Sequence, residues 1–420
     1  MMLKKIKKFV LLLLVILVIV VLFATSYILW IQPIDSHTPE TTIGIARKTT
    51  ASPKKLVKLK KIRKPNRKNS EAPRIDLRSK DLTELDLTDY AGELSRAIFD
   101  SETQWPEKLP IGFDPKKCLE LGKNPGLGVR ALHKKGITGK GISIGIIDQT
   151  LLTSHEQYAK RLKHYEEIHV LSKKPEMHGT AVSSLALGKD IGVAPASNLY
   201  FIASALSDNN LKMLMGKDNN DPKVYNYAYY AQAIDRFLVL NESLPEKEKI
   251  RVISISRSFE KNHEGYQTVQ KSIDKAKARG IFVITANLKQ DYNVGLSGLG
   301  RDQMADPDDP DSYTLGDWIK THPEEFKDDL FVPMDRRTYA ASSGVNQYEQ
   351  DASGGLSWAV PYLAGLYALA CQADPSITPE KFLDLAMKTS DSRTIENMGK
   401  PFTIKYIVNP ERLIDTLQAN

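Results

Sequence analysis

Cysteine is nearly absent: Cys118 and Cys371 are the two thiols of a 420-residue chain. One disulfide is the most they could form, and sequence does not decide whether they do. Cys371 ends the apolar run Tyr367-Ala-Leu-Ala-Cys371 and reads as a buried free thiol. Internal repeats are absent. The eight histidines show no metal-ligand spacing. His155, His164 and His169 stand in Ser-His-Glu, Lys-His-Tyr and Ile-His-Val contexts, so surface or supporting roles are expected. Acidic residues are missing from the first eight residues and from Arg47 to Lys68, which hold four Lys and eleven Lys or Arg. Subtracting these fifteen charges from the formal net charge of +7 leaves −8 elsewhere. The globular part is therefore acidic, which argues against nucleic acid as a partner.

Charge of either sign is missing from Phe9 to Trp30, a run of 22 mostly apolar residues. As a helix it spans roughly 33 Å, enough to cross a hydrocarbon core of about 30 Å. Lys4, Lys5, Lys7 and Lys8 precede it, and no Lys or Arg follows Trp30 for about 15 residues. That asymmetry places the amino terminus in the cytoplasm and the rest outside, on a single-pass anchor in the cell membrane. A cleaved signal peptide is the alternative: Ala24-Thr-Ser26 offers small residues, but Tyr27-Ile-Leu-Trp30 prolongs the apolar run beyond them.

The chain divides into four regions. Residues 1–31 form the cytoplasmic tip and anchor. Residues 32–74, rich in Thr, Pro and Lys without hydrophobic periodicity, read as a basic flexible linker. Its cations also suit anionic lipid or wall polymer. Residues 75–125 are a sparsely apolar extension, and residues 126–420 are the main domain. There, short apolar strands alternate with amphipathic helices, the pattern of βα units on a parallel sheet. Strands are expected at Ile142–Ile147, Leu199–Ala203, Val252–Ser256 and Ile281–Ala286. Helices are expected at Thr180–Leu187, Tyr227–Leu240, Tyr266–Arg279, Ser357–Ala370 and Pro379–Met387, the last with Thr378 as cap.

Three segments carry chemistry. Asp148 ends the strand Gly141-Ile-Ser-Ile-Gly-Ile-Ile-Asp148, so its carboxylate emerges at the carboxyl end of a sheet. His178 is followed by Gly-Thr and a small-residue helix, and Ser357 follows Gly354-Gly355 at the start of another. A serine hydroxyl is a weak nucleophile until a base takes its proton, and that base needs an acid to hold its tautomer. Asp, His and Ser in this order supply all three roles. Gly-Leu-Ser357-Trp-Ala lacks the second glycine of the G-x-S-x-G elbow, which argues against a lipase or esterase.

The order and the flanking residues resemble the subtilisin-like (S8) serine peptidases. The resemblance rests on Ile-Gly-Ile-Ile-Asp148, His178-Gly-Thr-Ala-Val, Gly192-Val-Ala-Pro-Ala196, Val252-Ile-Ser-Ile-Ser256, Ile281-Phe-Val-Ile-Thr-Ala-Asn287 and Gly355-Leu-Ser357-Trp-Ala-Val-Pro361. It runs from Gly126 to Leu417, about seven-tenths of the chain, and departs from the family at Gln149-Thr150, Ala181 and Leu356.

The resemblance implies a subtilisin-like parallel sheet flanked by helices and a serine endopeptidase acting on proteins or peptides. It makes Asp148, His178 and Ser357 the triad and Asn287 the oxyanion-hole donor. Ser256, Arg257 and Ser258 line the substrate cleft, where Arg257 replaces a leucine and either meets substrate or points to solvent. Members often carry a folding propeptide in the place of residues 75–125, but this stretch lacks the expected strand-rich pattern, so the point stays open. No organic cofactor is implied. A structural Ca²⁺ on the five aspartates of Asp302–Asp311 is the alternative to a solvated acidic loop. An inactive subtilase-like domain serving as a surface-tethered binding module is the rival reading.

Overall fold

The computed structural model describes residues 2–31, 42–62, 74–207 and 224–419. Parts of the linker, 32–41 and 63–73, lie outside the described residues. Helix α1 (Met2–Ile31) carries the apolar run, and its Ile6–Tyr27 stretch is unburied, long and apolar enough to cross a membrane. A signal sequence meets the same criterion.

The main domain is built on a five-stranded, wholly parallel sheet. Its strands are β1 (Ser143–Asp148), β2 (Leu162–Ile168), β3 (Asn198–Ser204), β4 (Ile250–Ile255) and β5 (Phe282–Thr285), in the order β2-β3-β1-β4-β5. Sheets buried on both faces need near-continuous apolar strands. Ile144 and Ile146 join one core with helix α2 (Met177–Leu187), whereas Ile147 joins a second core with α3 (Ala228–Ser243) and α4 (Tyr266–Ala278). Helix α5 (Leu356–Ala373) runs through the first core against α2. A second five-stranded sheet contains Leu296–Arg301, Tyr313–Leu315, Leu330–Pro333, Asp391–Asn397 and Lys400–Ile407.

The expected strands and helices of the main domain are present, with ends shifted by up to three residues. Thr378 caps Pro379–Lys388 through Lys381 N–H. Strand β2 was not expected, because Leu-Lys-His-Tyr-Glu-Glu-Ile offers few apolar residues. It forms as an edge strand whose buried polar groups are paired. His164 lies between Gly44 N–H and Glu166, Arg236 also bonds Glu166, and Arg47 pairs with Glu167. The three histidines expected at the surface or in support are buried. His155 meets the Gln347 carbonyl at 3.0 Å and His169 the Ser207 carbonyl at 2.8 Å.

Residues 42–62, read as part of a solvated linker, lie against the main domain as far as Lys54 and against the extension from Val57 onward, where Val57 and Lys58 pair with Lys80 and Asp81. Ala46 N–H donates to the Tyr165 carbonyl and Tyr165 N–H to the Gly44 carbonyl, both at 2.9 Å. Thr49 is buried; its hydroxyl bonds the Leu151 carbonyl at 2.6 Å and receives Thr153 N–H. Further on, Ser52 N–H reaches the Ser342 carbonyl and Lys54 the Glu349 carboxylate. Their backbone donors and cations find partners in the main domain, which a composition argument does not register.

The extension forms strands too. Ile75–Asp76 and Ala97–Asp100 continue a sheet with β6 (Arg337–Ala340) and β7 (Tyr348–Asp351), over a small core of Leu77, Leu82, Leu87, Leu94 and Phe99. These strands have two to four residues, too short for an alternating pattern to show.

Both thiols are free and buried. Burial pushes Cys371 up to about 11 and Cys118 up to about 12. The aspartates of 302–311 are used locally: Asp308 accepts Asn124 and Gly128 donors, and Asp309 caps the turn at Pro310–Ser312.

Candidate active site

Asp148 closes β1 in the centre of the sheet, and its side chain is 4% exposed. His178 Nδ1 lies 2.8 and 2.9 Å from the two carboxylate oxygens, and Gln149 N–H donates to one of them at 2.8 Å. The carboxylate therefore holds the Nδ1–H tautomer and leaves Nε2 free to take a proton. His178 stands at the amino end of α2, brought there by the residue after it. A Cβ at Gly179 would lie 2.2 Å from the Gln149 carbonyl oxygen, so only glycine lets the helix approach the strand end this closely.

Ser357 stands in the first turn of α5. Its Oγ donates to the Ser256 carbonyl at 3.3 Å, and Ser256 Oγ donates to the Ser357 carbonyl at 3.0 Å. This reciprocal pair ties the end of β4 to the helix. The Trp358 ring lies 5.5 Å from the His178 imidazole and 5.0 Å from the Tyr339 ring. A Cβ at Gly354 would meet the Met334 carbonyl oxygen and Trp358 Cδ1 at 2.5 Å each. Asp335, missed by sequence reasoning, accepts Gly354 N–H at 2.8 Å and faces Arg336. Burial pushes its carboxyl up to about 6.

Asn287 stands at the position before the short helix Leu288–Tyr292 without a side-chain capping bond, half-buried, with Nδ2 3.3 Å from Gln290 Oε1. The preceding Ala286 N–H bonds the Arg257 carbonyl at 2.9 Å, so the end of β5 adjoins the chain after Ser256. Arg257 and Ser258 are half-buried. Arg257 lines a cavity of about 140 Å³ with Gln149, Thr150, Glu176 and Tyr230. Glu176, also missed, stands two residues before His178. Burial, with the Asp148 charge adding, pushes its carboxyl up to about 7. Its one sequence signal was that proximity.

The structure thus gathers the ends of β1 and β4 and the starts of α2 and α5 around one point. The sequence model of the Subtilase family, Peptidase_S8, matches residues 139–315. Over this stretch, which is less than half of its length, the chain is similar to the subtilase family. The matched span takes in Asp148, His178 and Asn287 and ends before Ser357. Among curated proteins, "Subtilisin-like protease PopC" of Myxococcus xanthus (strain DK1622) is 28% identical over 102 residues. That match spans about a fifth of each chain (21% of both). Among solved structures, the chain is similar to the prenylagaramide maturation protease PagA, with a TM-score of 0.46 and 15% identity over 70% of this chain and 99% of that one. It is also similar to a cold adapted subtilisin-like serine proteinase, with a TM-score of 0.39 and 16% identity over 64% of this chain and 90% of that one.

Proposed function

We propose that the protein is a subtilisin-like serine endopeptidase held outside the cytoplasmic membrane by α1. The observation that carries the reading is the two-oxygen contact of Asp148 with His178 Nδ1 at the carboxyl end of the central strand, beside the helix that holds Ser357 in its first turn. In this reading His178 Nε2 takes the Ser357 proton as Oγ attacks a substrate carbonyl. Asp148 stabilises the imidazolium. The oxyanion is met by the Ser357 N–H at the positive end of α5 and by Asn287 Nδ2. The leaving amine takes the proton back from His178, and water, activated by the same base, releases the acyl group.

The substrate runs past the end of β4 at Ser256, with Arg257 and Ser258 at its side. Arg257 is the charged group offered to it from the cavity beside Thr150 and Glu176.

The rival reading, a binding module without turnover, draws on the Ser357 hydroxyl being turned toward Ser256. Hydrogen bonds of this kind are often loose without substrate and tighten in the reacting complex. A fluorophosphonate probe decides between them: it labels the full-length protein at Ser357, and Ser357→Ala abolishes both labelling and peptide hydrolysis. An unlabelled protein with no turnover would leave the binding module.

A further inference from the structure

Residues 43–62 act as a strap that belongs to the catalytic unit. They touch the loop after Asp148 through Thr49, the edge strand β2 through Gly44 and Ala46, and the strand before Ser357 through Lys54. Two carboxylates that are almost wholly buried, Glu167 and Glu349, take cationic partners from it, Arg47 and Lys54. Arg78 of the extension completes Glu349, and Arg74 adjoins Asp351. Taking a cation away from a buried carboxylate is strongly unfavourable, so Arg47 and Lys54 hold the strap where it lies.

This docking sets a length. The membrane helix ends at Ile31, and the chain is already bonded to the domain at Gly44. Thirteen residue steps span at most about 45 Å, whatever path they take. A free linker through residue 74 would allow about 150 Å. With a domain about 50 Å across, the active site stays within about 100 Å of the membrane surface.

We infer that the substrates are polypeptide segments close to the membrane surface, such as the juxtamembrane stalks of anchored proteins. This rests on the anchored-peptidase reading above and adds the substrate class.

The test places the full-length protein in lipid vesicles, catalytic domain outward, with single-pass reporters in the same membrane. Each reporter carries an unstructured casein segment on a stiff helical spacer, which extends about 1.5 Å per residue. The near segment stands about 30 Å from the surface and the far one about 150 Å. The near reporter is cleaved at least tenfold faster. A stiff helical insert of about 70 residues between His37 and Thr38 brings far cleavage to within about threefold of near cleavage. Equal rates on both reporters with the unmodified protein would overturn the inference. So would an insert that leaves the far reporter uncut. Hydrolysis of free casein in the same vesicles isolates the peptidase reading, and its absence sinks both. Protein washed from the vesicles by alkaline carbonate overturns the anchor, and the reach with it.

Discussion

In the proposed mechanism the Ser357 hydroxyl leaves the Ser256 carbonyl and turns toward His178. Its attack would put negative charge on the substrate oxygen, and Asn287 is the residue to question there. Asn287→Ala should cut kcat by about 10²–10³ with little change in KM, the loss one oxyanion-hole donor carries in subtilisin. Steady-state kinetics on one peptide check it, and a change confined to KM would make Asn287 a substrate ligand. Arg257 bears on selectivity. A charge-assisted bond from a shielded guanidinium contributes about 1.5–3 kcal/mol, roughly a 10- to 150-fold preference in kcat/KM. Peptides with Asp or Glu four residues before the scissile bond should outrun matched Leu peptides, and Arg257→Leu should invert the order. Equal wild-type rates would take Arg257 out of recognition. Glu176 bears on pH. Its carboxyl titrates near 7 in the fold against an ordinary value near 4.5, so the folded state holds the extra proton between those values. The contribution to stability is present below about pH 4.5 and is lost as pH rises through 7. Asp291, Asp335 and Asp351, each pushed up to about 6 by burial, act in the same direction, so a difference measurement is needed. Glu176→Gln should be more stable than wild type at pH 8 by about 1–3 kcal/mol and indistinguishable at pH 4. Urea titrations at the two pH values decide this, and an equal gain at both would discard the ionisation argument.

At the scale of elements, the parts that were legible were those whose signal is local. Asp148, His178 and Ser357 sit in short motifs, and β1, β3, β4 and β5 are apolar runs. Strand β2 and the strap were illegible because each is explained by the other: Glu167 tolerates burial because Arg47 reaches it, and Arg47 is held because Glu167 is there. Pairing across 120 residues leaves no mark in a window of ten. The strap can be tested through Lys54 and the neighbouring Arg78 of the extension. Lys54 and Arg78 meet Glu349 at 2.7 and 2.9 Å, and the Glu349 side chain is 2% exposed. Replacing both with Met should destabilise the fold by about 3–5 kcal/mol, with most of the loss recovered when Glu349→Gln is added. No recovery in the triple variant would mean the cations act by packing alone.

At the scale of the molecule, the proposed topology rests on the Lys4–Lys8 cluster at the amino end of α1. Protease added to intact cells should digest the chain beyond Trp30 and spare the first residues. Digestion only after lysis would reverse the orientation. The strap also sets an order of events in time. Lys54 leaves the ribosome early, yet its partner Glu349 is 295 residues later, and Ser357 lies eight residues beyond that. Contacts of such long sequence separation form slowly. The first segment must wait for nearly the whole chain before the sheet that receives it exists. A nascent or truncated chain therefore has no way to close this sheet, and the site is completed as the final event of folding, once the whole chain is present.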